Sequence, residues 1–292
     1  MALADSLVIF TDLDGTLLDR DTYSFAGAEA ALDLVRKRGV PLVLASSKTR
    51  AEVESYRASL KNVHPFIVEN GAAAFVPAGY FTAESLRSGE LGENGGVRTR
   101  ETSEYFVIET GLPYDSVRRA FEEARKLTGL PLRGFGDLGP EEIAGISSLS
   151  LDQAELARRR EYAEPFVMSE PRTEENLSLL REVIAGLGMR FTVGEKFLHI
   201  SGRHDKGRLV EQLTALFRQD FAAEGRGVKT AALGDGKNDV EMLLACDVRF
   251  VIKKKSGRAD PELLSRVHGA TVYEAGPVGW NSAVTDLLDG RV

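Results

Sequence analysis

Cysteine is almost absent from this chain. Cys246 stands alone among 292 residues, which excludes an internal disulfide framework and any cysteine-rich metal centre. Its surroundings, Met242-Leu243-Leu244-Ala245, predict a small buried side chain rather than a reactive thiol. Tryptophan also occurs once, as Trp280, and is read as packing. Positive charge is in deficit: 37 Lys and Arg against 44 Asp and Glu give a net charge of −7, which argues against nucleic acid as a general partner. An anionic substrate then needs a local basic pocket or a metal. No apolar run approaches the roughly 18 residues of a membrane span. No basic stretch precedes an apolar one at the start, so neither a membrane nor an export signal is expected, and the expected compartment is the cytoplasm. What is present suits a soluble globular enzyme, with 43% hydrophobic and 28% charged residues. The length allows one large or two ordinary domains.

Short apolar runs alternate with helical periodicity at both ends of the chain. Residues 7–10 read as a strand buried on both faces, and 40–45 and 66–68 read likewise. Between them Ala28, Leu32 and Val35 recur at helical spacing, and Thr49-Arg50-Ala51-Glu52 has the form of a capping box. This β-α-β-α-β order predicts right-handed crossovers and a doubly wound sheet. The pattern returns late, with a helix at 207–217, a strand at 230–233, a helix at 239–245 and a strand at 248–252. The middle differs. Residues 88–102, rich in Gly, Glu and Arg, are the best linker candidate. Beyond them short strands and helices mix, including a second capping box at Ser150-Leu151-Asp152-Gln153. We therefore expect an α/β, Rossmann-like core in two parts, 1–80 and 194–292. An α+β module at 81–193 would split it, with helices on one face of a mostly antiparallel sheet.

Two acidic motifs each directly follow a predicted strand: Asp12-Leu13-Asp14-Gly15-Thr16 and Gly234-Asp235-Gly236-Lys237-Asn238-Asp239. Carboxylates at the ends of buried parallel strands are unfavourable unless they serve chemistry, and ligands bind open α/β sheets at that edge. Asp12 and Asp14 both project there. Asp12 is placed to attack phosphorus and Asp14 to protonate the leaving oxygen and later deprotonate water. Magnesium prefers oxygen ligands and retains several waters. Asp12 and Asp235 are its natural carboxylates, Asp14 offers a backbone carbonyl, and Asp239, one helical turn after Asp235, is placed to orient these ligands.

The two motifs resemble the first and fourth motifs of the haloacid dehalogenase (HAD) superfamily of phosphohydrolases. In that pattern Ser46 matches the hydroxyl of the second motif, which binds the transferring phosphoryl group. Lys206, in Asp205-Lys206-Gly207, matches the lysine of the third. The resemblance implies a three-layer HAD core, magnesium as cofactor and a C2-type cap that supplies substrate selectivity. Ser46-Ser47-Lys48-Thr49 departs from the commoner Thr-Gly-Arg but keeps a hydroxyl and a cation. Five stretches are similar to the mannosyl-3-phosphoglycerate phosphatase family: Ser46-Ser47-Lys48-Thr49, Val68-Glu69-Asn70-Gly71, Gly134-Phe135-Gly136-Asp137, Arg160-Glu161-Tyr162-Ala163-Glu164-Pro165, and His199 with Asp205-Lys206-Gly207. That family's reaction is hydrolysis of mannosyl-3-phosphoglycerate to mannosylglycerate and phosphate. The implied partner is a small phosphorylated sugar-glycerate.

On this reading the phosphate-binding set is Ser46, Ser47, Lys206 and Asn238. Lys48, Arg160, Arg133 and His199 are substrate-contact candidates. Each also has a blander reading. Ser46 and Asn238 could simply cap helices, Lys206 could be a solvated helix-start lysine, Arg160 belongs to a run of three arginines on a helix face, and His199 sits on an apolar strand as a core histidine would. The alternatives are the same chemistry on a glucosyl-linked, sucrose or general hexose phosphate, and, more distantly, a non-catalytic magnesium-binding module. The oligomeric state is not legible.

Overall fold

The computed structural model describes residues 6–87, 97–194 and 196–292. The first part of the expected linker, 88–96, lies outside the described residues.

The chain begins with β1 (Ser6–Thr11), α1 (Glu29–Lys37), β2 (Leu42–Ala45) and α2 (Arg50–Leu60). β3 (Phe66–Val68), β4 (Ala73–Pro77), α3 (Ala83–Arg87), β5 (Arg98–Glu101) and β6 (Tyr105–Glu109) follow. Next come α4 (Tyr114–Thr128), β7 (Leu132–Gly134), α5 (Pro140–Ser147), α6 (Leu151–Arg158), β8 (Ala163–Met168), α7 (Glu174–Gly186), β9 (Arg190–Val193) and β10 (Leu198–Ser201). The last stretch holds α8 (Lys206–Ala222), β11 (Val228–Gly234), α9 (Val240–Leu244), β12 (Val248–Ile252), α10 (Pro261–Arg266), β13 (Thr271–Tyr273) and α11 (Gly276–Leu288).

These elements form two compact units. The first comprises residues 1–46, 61–110 and 205–292. It contains a nine-stranded sheet in the order β13-β12-β11-β1-β2-β3-β4-β6-β5. β1 is central, parallel to β11 on one side and to β2 on the other. That is why Val8, Ile9 and Phe10 are fully buried on alternate faces and read as a continuous apolar run. One face packs Val8, Phe10, Val43 and Ile67 against Leu209, Leu213 and Phe217 of α8 and Met242 and Leu243 of α9. On the other side α1 lies against α11. β1 and β11 run parallel in register, so their carboxyl ends, and the two acidic motifs beyond them, emerge together.

The second unit comprises residues 47–60 and 111–204. Its four-stranded sheet, β7-β8-β10-β9, is antiparallel throughout. α4 and α7 cover one face, where Phe121, Ala124, Leu180 and Ile184 meet Phe166, Met168, Leu198 and Ile200. Val167 lies between Phe166 and Met168, so its side chain points the other way. It packs with the α5–α6 cluster of Ile143, Ala154 and Ala157. Both faces are therefore covered, not one as expected.

The boundaries also differ from the expected 81 and 193. β6 pairs antiparallel with β4, and β5 with β6, so these strands extend the first sheet. β10 pairs with β8 and β9 inside the second. The helix after β2 also groups with the second unit, its capping box closed by Thr49 N–H to Glu52 Oε2 at 2.8 Å and Glu52 N–H to Thr49 Oγ1 at 3.2 Å. Among the described residues no helix is long and apolar enough to cross a membrane.

Candidate active site

Six of the expected residues, from four separate segments of the first unit, converge at the carboxyl edge of its sheet: Asp12, Ser46, Lys206, Asp235, Asn238 and Asp239. Asp12 extends β1, and its N–H donates to the Leu233 carbonyl at the end of β11 at 3.0 Å. Lys206 opens α8, whose N-cap Asp205 accepts from the Arg208 N–H at 3.1 Å. The Lys206 ammonium is fully buried and donates to Asp12 Oδ1 at 2.7 Å and to Asp239 Oδ1 at 2.6 Å. The other oxygen of Asp239, Oδ2, accepts the N–H groups of Asp235 and Gly236, each at 3.1 Å. Asp239 thus orients both the lysine and the loop that carries Asp235.

Carboxylate oxygens of Asp12, Asp235 and Asp239 lie within 4.8 Å of one another, all buried. Burial first, then Asp239, pushes the Asp12 carboxyl well above the usual carboxylate range, and Lys206 only partly opposes this. The same two causes push Asp235 up to about 7. Burial works against the Lys206 ammonium, but Asp12 and Asp239 together hold its pKa above the ordinary lysine value. Three buried carboxylates face one buried ammonium, and Arg20, half-exposed and 3.5 Å from Asp235 Oδ2, and Lys254, farther off, offset the excess negative charge only in part. A divalent cation fits this deficit and this all-oxygen donor set.

The loop after Asp12 is shaped for close approach. Leu18 N–H returns to the Leu13 carbonyl at 2.8 Å and Gly15 N–H to the Leu18 carbonyl at 2.9 Å. Gly15 has φ +84°, and a Cβ there would stand 2.7 Å from Asp235 Oδ2. A side chain would therefore press on the Asp235 carboxylate and strain the turn. Asp14, next to Gly15, is partly buried and close enough to add to the upward push on Asp12.

Ser46 follows β2 and is fully buried. Its N–H donates to Ile67 O at 3.0 Å and its carbonyl accepts from Asn70 N–H at 2.9 Å. Asn238, on the exposed side, donates from Nδ2 to Asn70 Oδ1 at 3.2 Å.

The remaining candidates belong to the second unit. Lys48, buried beside Ser47, lies 3.8 Å from Glu52 Oε1 and 5.6 Å from the Tyr56 ring centre. Arg160 donates to the Ser47 and Ala157 carbonyls, each at 2.9 Å, and lies over the Phe135 ring. His199 is held neutral at about 3 by burial, then by Arg160 and Arg172. Arg133 is exposed and paired with Glu142 at 2.8 Å. Phe135, Arg160 and His199 thus lie in one cationic, aromatic neighbourhood, while Arg133 forms a surface ion pair.

Sequence reasoning missed Arg20, whose only signal is its nearness to the first motif, and Thr11. The Thr11 hydroxyl donates to the Asp12 carbonyl at 2.8 Å and accepts the Trp280 indole N–H at 2.9 Å. No local pattern joins positions so far apart.

A family model described as haloacid dehalogenase-like hydrolase matches residues 9–88. A glucosyl-3-phosphoglycerate/mannosyl-3-phosphoglycerate phosphatase of Methanococcoides burtonii is 42% identical over 282 residues, covering 96% of this chain and 97% of that one. A mannosyl-3-phosphoglycerate phosphatase of Pyrococcus furiosus is 34% identical over 84% of this chain and 90% of its own. Among solved structures, the HAD-superfamily protein BT1666 of Bacteroides thetaiotaomicron matches with a TM-score of 0.63 at 19% identity, covering 96% of this chain and 94% of that one. The subclass IIB sugar phosphatase BT4131 matches with a TM-score of 0.60 at 17% identity, covering 97% and 99%. At such identities the structural likeness speaks for the fold alone.

Proposed function

This chain belongs to the mannosyl-3-phosphoglycerate phosphatase family of haloacid dehalogenase-like hydrolases, and from that premise we propose that it removes the phosphate from mannosyl-3-phosphoglycerate by way of an aspartyl phosphate on Asp12. It is a phosphoric monoester hydrolase. The observation that carries the mechanism is the Asp12–Lys206 pair beside the buried carboxylates of Asp235 and Asp239.

Uncatalysed phosphomonoester hydrolysis faces a barrier that such a site must lower by about 20 kcal/mol or more. An oxygen of the Asp12 carboxylate forms a bond to phosphorus as the P–O bond to the glycerate breaks. Asp14 gives its proton to the departing glycerate oxygen. Asp14 then takes a proton from water, whose oxygen attacks phosphorus and releases phosphate, returning Asp12 to its carboxylate. Lys206 offsets the charge of Asp12 and of the transferring group, while Ser46, Ser47 and Asn238 bind phosphoryl oxygens. Magnesium, held by Asp12, Asp235 and the Asp14 carbonyl, supplies further charge compensation when bound. Asp239 holds Lys206 and the Asp235 loop in place.

The substrate assignment follows the relatives, and the second unit is the selectivity module. Arg160, Lys48 and His199 are its candidate contacts for the glycerate and sugar. The name of the Methanococcoides burtonii relative pairs the glucosyl- with the mannosyl-linked ester, so we propose that this chain accepts both. The test is kcat/KM for the mannosyl and glucosyl phosphoglycerates beside sucrose phosphate and hexose phosphates, each with and without magnesium. The expected result is magnesium-dependent phosphate release with the phosphoglycerates preferred, abolished in Asp12→Asn. A flat profile across the panel would remove the substrate assignment, and an active Asp12→Asn would remove the nucleophile.

A further inference from the structure

Three consecutive residues after β3 adopt positive φ: Glu69 at +46°, Asn70 at +60° and Gly71 at +93°. Glycine and asparagine tolerate this region, but glutamate is disfavoured there, and two non-glycine residues in succession are rare outside functional sites. The surroundings hold the turn firmly. Gly71 N–H and Ala72 N–H both donate to the Val68 carbonyl at 3.0 Å, and the Thr110 N–H donates to the Ala72 carbonyl at 2.9 Å. The Thr110 hydroxyl donates to the Gly71 carbonyl at 2.5 Å. Glu69 is 1% exposed.

This turn touches three of the four motif segments. The Asn70 N–H holds the Ser46 carbonyl, fixing the residue that follows β2. Asn70 Oδ1 accepts the Asn238 amide, fixing the loop between β11 and α9. Gly71 lies against the backbone before Lys206, so closely that a Cβ there would be 2.0 Å from the Asp205 oxygen.

We propose that Asn70 is a positioning residue for phosphoryl transfer. It sets the distance between Ser46 and Asn238 by holding one through its backbone and the other through its side chain. The strained turn persists because only this backbone presents the N–H to Ser46 and the amide oxygen to Asn238 at once. This rests on the assignment of Ser46 and Asn238 to the phosphoryl pocket.

Asn70→Gly separates the two links, because glycine keeps the positive φ and the N–H and loses only the amide. The assay is steady-state hydrolysis of mannosyl-3-phosphoglycerate with saturating magnesium, run beside p-nitrophenyl phosphate and well below the melting midpoint of each variant. The expected result is an unchanged midpoint, a kcat lowered ~10-fold and a KM changed less than about twofold, because misplacement of a transition-state group acts on kcat. Asn238→Ala removes the phosphoryl contact along with this link and is expected to lose at least as much. The double variant is expected to be no worse than Asn238→Ala alone, because without the Asn238 amide the Asn70 side chain has nothing left to hold. Wild-type kcat in Asn70→Gly, with Asn238→Ala impaired, overturns the positioning role alone, as does multiplication of the two losses. A silent Asn238→Ala overturns this role together with the pocket assignment.

Discussion

The indole N–H of Trp280 donates to the hydroxyl of Thr11 at 2.9 Å across 269 positions of chain, and that hydroxyl donates in turn to the Asp12 carbonyl at 2.8 Å. Trp280 and Thr11 are fully buried. The last helix therefore grips the residue before Asp12 through a single buried hydrogen-bond relay.

Removing the hydroxyl strands the indole N–H where no water reaches it. Thr11→Val, which preserves side-chain volume, is expected to destabilise the protein by ~1–3 kcal/mol, the usual penalty for a buried donor left without an acceptor. Trp280→Phe loses the donor and leaves a partial cavity, for a loss of similar size. Urea denaturation read by circular dichroism checks both, since Trp280 is the only tryptophan and its fluorescence disappears with it.

Magnesium binding is expected to strengthen as pH rises toward neutrality. Burial and Asp239 raise Asp235 from an ordinary 3.8 to about 7 in the metal-free protein. A raised carboxyl contributes stability below its unfolded pKa and loses it as pH climbs through the folded value. Metal must displace this proton, and any held by Asp12, whose carboxyl is also raised, so its apparent affinity is expected to grow by ~10-fold or more per pH unit below about 7. The melting shift caused by a fixed magnesium concentration, followed from about pH 5.5 to 8, reads this. A shift that shrinks with rising pH contradicts the carboxylate assignment.

A buried polar network in the second unit gives a further expectation. Glu164 is fully buried and accepts from Tyr114 Oη at 2.6 Å, Arg118 Nη1 at 2.7 Å and Gly136 N–H at 3.0 Å. Its carboxyl is nonetheless raised, because burial outweighs these partners. Glu164→Leu strands the Tyr114 hydroxyl and the Gly136 N–H and is expected to cost ~2–4 kcal/mol, less than breaking a fully enclosed ion pair because Arg118 keeps Asp137 and Glu122 as partners. Thermal melting reads the loss. Magnesium titration by calorimetry is expected to be unchanged, since Asp12, Asp235 and Asp239 belong to the other unit.

The motif residues were legible because their chemistry is written locally. Asp12 and Asp235 follow apolar runs that can only be buried strands, and the capping boxes at Thr49 and Ser150 close in the structure as their spacing predicts. β5 and β13 were not legible. Arg98-Thr99-Arg100-Glu101 is fully exposed, and Thr271-Val272-Tyr273 is a three-residue edge strand, so neither carries a buried stripe to betray it. β6 falls inside the expected module at 81–193, because its pairing with β4 is decided across a turn-rich stretch that carries no local signal. The sequence assigns Asn70 no role beyond its place in Val68-Glu69-Asn70-Gly71. Its importance lies in a backbone angle and two long-range hydrogen bonds, neither of which has a residue-type signature.

The placement of β11 beside β1 bears on biogenesis. Of the two neighbours of the central strand, one is encoded more than two hundred residues after it. Until then β1 presents an unpaired apolar edge, whereas the strands and helices of residues 111–204 are contiguous and can mature early. The nascent polypeptide thus completes residues 111–204 before the sheet that carries Asp12 and Asp235, and a stop codon between β1 and β11 yields an adhesive fragment, prone to association, rather than a slow enzyme.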